Sequence, residues 1–236
     1  MAPLVITVPE RLDEPFLETM RARMTGVADV SAVLLEGAPA RFCLGMSGIA
    51  ALAASREKSQ LRRGLEAFAD CLDLLLCCPR PTCAVVDGAA LGGGLGLAAA
   101  CDVILATERA RFGLPEGLYG LAPSIIRPVL LRRLTPQQVN LLLFTAHARS
   151  ADEAAGLGLV DRLVPVDRLE AARREIVRQL RRVRSEAVIV SRRWDAAEIG
   201  RLLRAGIEET LAALADRNIL AALGDAASED ERSWRR

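Results

Sequence analysis

Aromatic residues, lysine and histidine are scarce in this sequence. Phe, Trp and Tyr together make up 3% of its 236 residues, so a large core must be built from Leu, Ala, Val and Ile. Lys58 is the only lysine and arginine carries almost all of the positive charge, which we interpret as a coding bias. Acidic and basic residues nearly cancel, and the formal net charge is +1. No overall field therefore draws the chain to nucleic acid or to a membrane surface.

Long apolar runs and metal-binding clusters are missing as well. No stretch approaches the ~18 uninterrupted apolar residues that a membrane span requires, and the first residues lack the pattern of a signal peptide. His147 is the only histidine, in a segment predicted to be a solvated loop. Because the cysteines lack paired CxxC spacing, we predict no metal site and no cofactor, and we expect reduced thiols in a cytoplasmic protein. The cysteines are Cys43, Cys71, Cys77, Cys78, Cys83 and Cys101.

Short apolar runs alternate with segments of helical periodicity. Runs typical of strands occur at residues 3–8, 31–36, 83–86 and 102–107. Helices are predicted at 13–24, where Asp13 is the N-cap, at 55–78, which Pro79 ends, and at 95–101. Strands that alternate with helices imply βαβ units with right-handed crossovers, and hence an α/β fold.

Three short segments carry residues suited to chemistry: residues 42–45 (FCLG), 88–96 (GAALGGGLG) and 112–116 (FGLPE). Glycines at 92–94 let the backbone approach a ligand closely and permit positive φ. The helix that follows them directs unsatisfied N–H groups and the positive end of its dipole at that ligand. This geometry suits a developing oxyanion, for which one well-placed donor is typically worth about 10²–10³ in rate.

Glu116 is the candidate general acid or base. Its neighbours in the sequence include Phe112, Leu114, Leu118 and Tyr119, so its carboxylate is predicted to lie in weakly polar surroundings. Desolvation disfavours the charged form and raises the pKa toward neutrality, as a general base or acid needs.

Each segment has a simpler interpretation on its own. A glycine run is also typical of a structural turn, and Pro-Glu often starts a helix. A dinucleotide-binding turn is not favoured, because position 97 is leucine where the G-x-G-x-x-G motif needs glycine. The acidic residue of that motif would be Glu116, which lies well past the strand at 102–107 and behind a proline. The functional interpretation therefore depends on the three segments together.

Taken together, the segments resemble the crotonase (enoyl-CoA hydratase/isomerase) superfamily from about residue 31 to about residue 165. The resemblance follows the order and spacing of residues 84–94, 101–102, 110–112, 115–116 and 151–164. It implies a crotonase-like spiral of ββα units, residues 1–165, around a thioester site. It also implies a C-terminal helical segment, residues 166–236, that makes a homo-oligomer, either a trimer or a hexamer.

The resemblance also implies roles for particular residues. By position, the oxyanion hole is formed by the backbone N–H groups of Leu44 and Gly93, and Glu116 is catalytic. Hydratases of the family use two glutamates, and the position of the first is Gly96 here, which argues against simple two-glutamate water addition. If the pocket accepts a carboxylate there, Gly96→Glu is expected to add hydratase activity. The predicted substrate-binding residues are Gly92, Gly94, Gly96 and Tyr119, with packing as the alternative role of the tyrosine.

Residues 118–123 (LYGLAP) and 128–133 (PVLLRR) are similar to the dehydratases of polyketide β-branching cassettes. Those enzymes retain the second glutamate, have glycine in place of the first, and dehydrate a 3-hydroxy-3-methylglutaryl group on an acyl carrier protein. We therefore expect a hydro-lyase whose substrate is an acyl-CoA or acyl carrier protein thioester. The alternatives are an enoyl-CoA isomerase or hydratase that uses one glutamate, and a non-catalytic crotonase-fold subunit.

Two sets of side chains lead to expectations about the surface. The C-terminal segment carries more apolar side chains than a lone helix pair should expose, so we expect them between subunits. They are Ile207, Leu211, Leu214, Ile219, Leu220 and Leu223. The arginines Arg127, Arg132 and Arg133 are predicted to lie on a solvated helix face, with contact to a substrate carboxylate or phosphopantetheine as the alternative.

Overall fold

The computed structural model describes residues 1–47, 53, 58–193 and 196–224. Its strands within these ranges are β1 Leu4–Thr7, β2 Val33–Glu36, β3 Thr82–Val86, β4 Ala89–Leu91, β5 Val103–Thr107, β6 Arg111–Gly113, β7 Arg149–Ser150 and β8 Arg162–Val164. Five of them form a parallel sheet in the order β1-β2-β3-β5-β8. In the second sheet, β6 pairs in parallel with β4 and antiparallel with β7. The four predicted strands are confirmed as β1, β2, β3 and β5, and the other four strands were not predicted.

Helices connect the strands in the predicted alternation. They are α1 Glu14–Thr25, α2 Lys58–Leu76, α3 Gly93–Ala100, α4 Arg127–Leu130, α5 Pro136–Thr145, α6 Ala151–Gly156, α7 Leu169–Leu180, α8 Ser185–Arg192 and α9 Ala196–Ala213, and residues 217–224 are helical too. Helix α1 begins as predicted, because the Asp13 carboxylate accepts a hydrogen bond from the Phe16 N–H at 2.9 Å. The predicted start of α2 at 55–57 lies outside the described residues. The α/β class is confirmed.

The main sheet is buried on both faces. Successive side chains of a strand point to opposite sides, and each side packs into an apolar cluster. Leu35 and Val86 belong to the larger core, which includes residues of α1 and α2. Leu34 and Leu105 point the other way, into a smaller cluster with Ile176 of α7. Helix α7 therefore belongs to the folded core of this chain, although it lies beyond residue 165.

The C-terminal helices pack against their own chain, so the apolar side chains that we expected between subunits lie against the core of this chain. Ile207 and Leu214 are 5% and 4% exposed, and the other four predicted side chains are partly buried against the same core. Glu208 of α9 forms an ion pair with Arg62 of α2 at 2.5 Å. A helical apolar pattern shows that a face is buried but not what covers it. The trimerisation role of residues 166–236 therefore stays a prediction.

Arg133 does not lie on a solvated face, so that prediction is wrong for this residue. Its guanidinium donates to the carbonyls of Cys101 (2.7 Å), Leu159 (3.2 Å) and Ala99 (3.3 Å), and to the Asp161 carboxylate (2.9 Å). These carbonyls include the C-terminal end of α3, where a cation is favoured. The sequence shows the arginines but not which one reaches this helix end. Arg133 thus stabilises the helix whose other end forms the site.

Candidate active site

Backbone pairing brings the first two chemical segments together. The Cys43 N–H donates to the Ala89 carbonyl at 2.9 Å, and the Leu91 N–H donates to the Cys43 carbonyl at 2.8 Å. Gly45 then turns with a φ of 94°, and a Cβ on Gly45 would lie 3.3 Å from the Gly93 nitrogen. Residues 43–45 therefore lie directly beside the N-terminus of α3. The predicted donors of the oxyanion hole need this arrangement.

Two of the glycines in the run are needed for different reasons. Gly92 has φ 50° and ψ −121°, a conformation that residues with a Cβ avoid. A Cβ on Gly94 would lie 2.2 Å from the Cys43 carbonyl oxygen, so only glycine fits. Helix α3 begins at Gly93, two residues before its predicted start at Leu95, because tertiary packing and not helix propensity fixes this turn. The N-cap Gly92 has no side chain to bind the first-turn N–H groups.

The third segment is held at the same helix end by backbone hydrogen bonds. Gly113 pairs with Leu91 in the parallel register of β4 and β6, and its carbonyl accepts from the Gly92 N–H at 3.0 Å. On the far side, the Leu121 N–H donates to the Glu116 carbonyl at 3.0 Å. The backbone of the turn that carries Glu116 is thus fixed on both sides.

Glu116 places one carboxylate beside the glycine turn. The residue lies in the 3-10 turn Pro115–Tyr119, and a Cβ on Gly92 would lie 2.9 Å from Glu116 Oε1. Its Oε2 atom is buried without a hydrogen-bond partner among the described residues, although the residue as a whole is half-buried. Desolvation by burial raises the pKa of Glu116 to about 7, the direction that the sequence predicts. One carboxylate that titrates near neutral pH therefore lies at the site.

The Leu44 N–H, a predicted oxyanion donor, is occupied in this structure. It donates to the Glu10 carbonyl at 2.7 Å, and the Leu12 N–H beside it donates to the Gly45 carbonyl at 2.9 Å. The Glu10 carboxylate also forms an ion pair with Arg41 at 2.6 Å. We call residues 10–12 the strap. A thioester oxygen can bind the Leu44 N–H only after the strap carbonyl has moved away, so the role of Leu44 stays a prediction.

If a substrate oxygen binds the Leu44 N–H, loosening the strap should lower KM. Arg41→Ala removes the ion pair that holds Glu10, and we expect KM to fall by up to about five-fold with kcat unchanged, since exposed pairs contribute little. The matched control is Arg62→Ala, which removes the similarly exposed pair with Glu208 and should leave KM unaltered. Steady-state kinetics of both variants measure KM and kcat. A higher KM in Arg41→Ala alone would mean that the pair supports substrate binding instead.

At Gly96, the space for a side chain is already filled. A Cβ there would lie 2.4 Å from Ile126 Cγ2 and 3.0 Å from Ile126 Cβ. Ile126 is 3% exposed and β-branched, so its side chain has few other rotamers to adopt. The condition attached to Gly96→Glu is therefore not met, because the pocket has no room for the added carboxylate. Residue identities carry no signal for this contact, because the two residues are thirty positions apart in the chain.

The other predicted site residues surround this centre. Gly92, Gly94 and Gly96 are buried, whereas Gly93 is partly exposed, and its role as an oxyanion donor stays a prediction. Tyr119 is half-buried at the end of the 3-10 turn, and its contact with substrate stays a prediction. His147 is exposed in the loop before β7, as predicted.

Asp87 is a supporting residue that the sequence analysis missed. Its carboxylate accepts hydrogen bonds from the Thr107 hydroxyl (2.6 Å), the Arg109 guanidinium (2.9 and 2.5 Å) and the Ala40 N–H (3.2 Å). Burial opposes ionisation, but these hydrogen bonds lower the pKa of Asp87 overall. The bond to Ala40 anchors the loop that leads into Cys43. An aspartate directly after a buried strand was the available signal.

Other nucleophiles and metal ligands do not gather at the site. All six cysteines are free, and burial raises the pKa of Cys43, Cys71 and Cys83 to about 12, which makes them poor nucleophiles at neutral pH. Within the described ranges, no three His, Cys, Asp or Glu side chains are grouped to hold a metal ion. In the same part of the chain, no helix has the length and apolar content to cross a membrane.

Comparison with known families identifies the class of this protein. The model of the Enoyl-CoA hydratase/isomerase family matches residues 17–202, so the chain belongs to this family. It is 39% identical over 104 residues to Carnitinyl-CoA dehydratase of Salmonella typhi, a match that covers 43% of this chain and 39% of that protein. It is 32% identical over 176 residues to the peroxisomal fatty acid beta-oxidation multifunctional protein MFP2 of Arabidopsis thaliana, covering 73% and 22%. The chain thus spans well under half the length of these curated relatives.

Solved structures show the same fold over almost the whole chain. Enoyl-CoA hydratase from Bacillus halodurans superposes with a TM-score of 0.87 at 21% identity and covers 94% of this chain and 96% of that one. A Bacillus subtilis protein described as a polyketide biosynthesis enoyl-CoA hydratase gives 0.82 at 21% identity, covering 95% and 93%. An enoyl-CoA hydratase/isomerase from Xanthobacter autotrophicus Py2 gives 0.80 at 29% identity, covering 93% and 85%. The predicted crotonase fold is confirmed.

Proposed function

We propose that this chain is a cytoplasmic hydro-lyase that binds an acyl thioester, stabilises its enolate and removes water from a β-hydroxyacyl group. The favoured substrate is a 3-hydroxy-3-methylglutaryl-type group on an acyl carrier protein in polyketide biosynthesis. The observation that carries the proposal is the buried Glu116 carboxylate, whose Oε2 has no hydrogen-bond partner in the described residues and whose pKa is about 7. Such a group is ready to accept a proton from a bound molecule.

The mechanism needs one carboxylate and two backbone donors. The thioester oxygen accepts hydrogen bonds from the Gly93 N–H and, once the strap has moved, from the Leu44 N–H. These bonds stabilise the negative charge that forms on the oxygen, so the α-proton becomes easier to remove. Glu116 takes that proton, and the electron pair of the broken C–H bond forms the enolate. The enolate then forms the α,β double bond while Glu116 returns the proton to the departing β-hydroxyl, which leaves as water.

A single carboxylate favours a substrate whose hydroxyl leaves readily. Hydration and dehydration share one transition state, so the preference between them depends on the acyl group. To hydrate a straight enoyl chain, the enzyme must first hold and polarise a free water. Two-glutamate hydratases divide this task between two carboxylates. A tertiary β-hydroxyl is already part of the substrate and needs one proton-transfer partner. Gly96, which Ile126 covers, supplies no second carboxylate, and this favours dehydration of a substrate with a tertiary β-hydroxyl.

The comparisons support this proposal at the level of the reaction type. The family model is that of hydratases and isomerases of enoyl-CoA, and one relative at 39% identity is named a dehydratase. An isomerase that moves a proton between C2 and C4 is the second candidate, because Glu116 alone suffices for that transfer as well. A non-catalytic subunit is less favoured, because a buried carboxylate without a partner in the described residues is costly to keep.

A mass-spectrometric screen tests the proposal. The protein is incubated with 3-hydroxy-3-methylglutaryl thioester on an acyl carrier protein, with the same acyl group on coenzyme A, and with crotonyl-CoA. We expect the carrier-bound group to lose one water, while crotonyl-CoA gains water slowly. Fast hydration of crotonyl-CoA, with no reaction of any carrier-bound hydroxyacyl group, would transfer the assignment to an enoyl-CoA hydratase or isomerase.

We also propose that the chain forms a trimer or hexamer. Leu141 and Phe144 of α5 and Leu118 of the adjoining 3-10 turn are 43%, 77% and 58% exposed, and apolar patches of this kind are typical of interfaces. Sedimentation should give a mass well above that of the single 25.4 kDa chain. Phe144→Asp should lower this mass, whereas Val190→Asp, at an apolar position 54% exposed on α8, should not. A wild-type protein that sediments as a monomer at micromolar concentration contradicts the proposal.

A further inference from the structure

One face of the first two turns of α3 carries no side chains of its own. Gly92, Gly93 and Gly96 lie on this face, because residues three and four apart meet on the same side of a helix. Other elements supply the groups that cover it. The Glu116 carboxylate lies over Gly92, and Ile126 lies over Gly96. We call this surface the glycine face.

Phe68 joins these two groups across the glycine face. A Cβ on Gly93 would lie 3.3 Å from Phe68 Cζ, and a Cβ on Gly96 would lie 3.6 Å from the same atom. The catalytic carboxylate, the Phe68 ring and the Ile126 side chain therefore follow one another along α3. Within one helical turn, the surroundings change from an ionisable oxygen to aliphatic carbon.

This order matters for a thioester whose reacting carbons lie at Glu116. The thioester oxygen is near the N-terminus of α3, and the α-carbon is next to the carboxylate. The β-carbon and its substituents continue beyond Glu116, where the Phe68 ring and then Ile126 cover the glycine face. Because Ile126 is β-branched and 3% exposed, it is a rigid wall and does not adapt to chains of different shape.

We propose that Ile126 determines acyl specificity by forming the apolar wall against which the substituents of the β-carbon pack. This inference rests on the proposed function and extends it to a substrate class. The preferred acyl groups have a small apolar branch, such as a methyl group, on the β-carbon, and bulkier branches clash with the Ile126 methyl groups. One methylene of misfit in such a pocket changes kcat/KM by about 10- to 200-fold.

Truncation of Ile126 tests the proposal against a closely matched control. Ile125 has the same side chain, is 6% exposed, and its backbone packs against Gly206 of α9. Ile126→Ala and Ile125→Ala therefore remove the same atoms from equally buried positions. The measured quantity is the ratio of kcat/KM for a β-ethyl and a β-methyl branched 3-hydroxyacyl thioester. We expect Ile126→Ala to shift this ratio at least ten-fold toward the larger branch, Ile126→Val to shift it less, and Ile125→Ala to leave it unchanged.

Equal ratios in all variants, or equal shifts in Ile126→Ala and Ile125→Ala, overturn the proposal. Should Ile126→Ala not fold, Ile126→Val retains the β-branched shape and supplies the same comparison with Ile125→Val. Binding of unreactive acyl-pantetheine analogues separates this inference from the proposed function. Analogues that bind with the expected shift, but without turnover of any hydroxyacyl thioester, remove the dehydratase assignment and keep the role of Ile126. No binding of any analogue to the wild-type protein removes both.

Discussion

Glu116→Gln should lower turnover by about 10²-fold or more while the fold survives. Glutamine keeps the shape of the side chain but cannot accept a proton, so the transition state loses its base. Steady-state kinetics measure the loss, and circular dichroism with thermal melting shows that the fold is intact. Glu108→Gln, a change of the same kind at an exposed position, should have no effect on kcat. Near-normal turnover of Glu116→Gln would assign the chemistry to another group.

The pH dependence provides a separate expected result for the same carboxylate. Glu116 must be ionised to take the α-proton, and burial raises its pKa to about 7. The value of kcat/KM should therefore fall about ten-fold per unit as the pH drops below 7, and it should level off above it. The residual activity of Glu116→Gln should lack this acid limb. If the acid limb of the wild-type protein has its midpoint near pH 4.5, the Glu116 carboxylate is exposed to water in solution and its pKa is not raised.

The parts of the fold that the sequence predicts are those controlled by local periodicity. The buried strands read as short apolar runs, and α1 has its cap in Asp13 and its buried face in Leu17, Met20 and Met24. The covering of the C-terminal helices could not be predicted in this way. Their apolar faces are equally clear in the sequence, but whether a second subunit or the chain itself covers them depends on tertiary packing.

The site shows the same division between local and non-local information. The convergence of the glycine turn with Glu116 follows from strand pairing, for which the spacing of the segments is a guide. The contact of Ile126 with Gly96 and the bond from the Leu44 N–H to the Glu10 carbonyl join residues about thirty positions apart. The second of these involves a backbone carbonyl, which every residue type has, so residue identity carries no signal for it.

Gly96→Glu on its own should cost stability and most of the dehydratase activity. The new Cβ would meet Ile126 Cγ2 at 2.4 Å, and overpacking of this kind typically costs about 1–3 kcal/mol. The added carboxylate would lie on the face of α3 that the Glu116 carboxylate covers at Gly92, and like charges so close raise the pKa of one of them. Thermal melting and kinetics on the hydroxyacyl thioester measure both effects. A stable and fully active Gly96→Glu protein would show that Ile126 is not a barrier.

Gly96→Glu combined with Ile126→Gly should gain the hydratase activity that the single change cannot provide. Glycine at 126 removes both Ile126 atoms that lie within 3.0 Å of the new Cβ, so the second carboxylate has room to hold and polarise a water together with Glu116. We expect hydration of crotonyl-CoA to rise at least ten-fold above the wild-type rate, with an optimum above pH 7, because one of the paired carboxylates has a raised pKa. The matched control is Gly96→Gln with Ile126→Gly, which has nearly the same volume and no ionisable group. If both double variants gain the activity equally, the added space and not the carboxylate accounts for it.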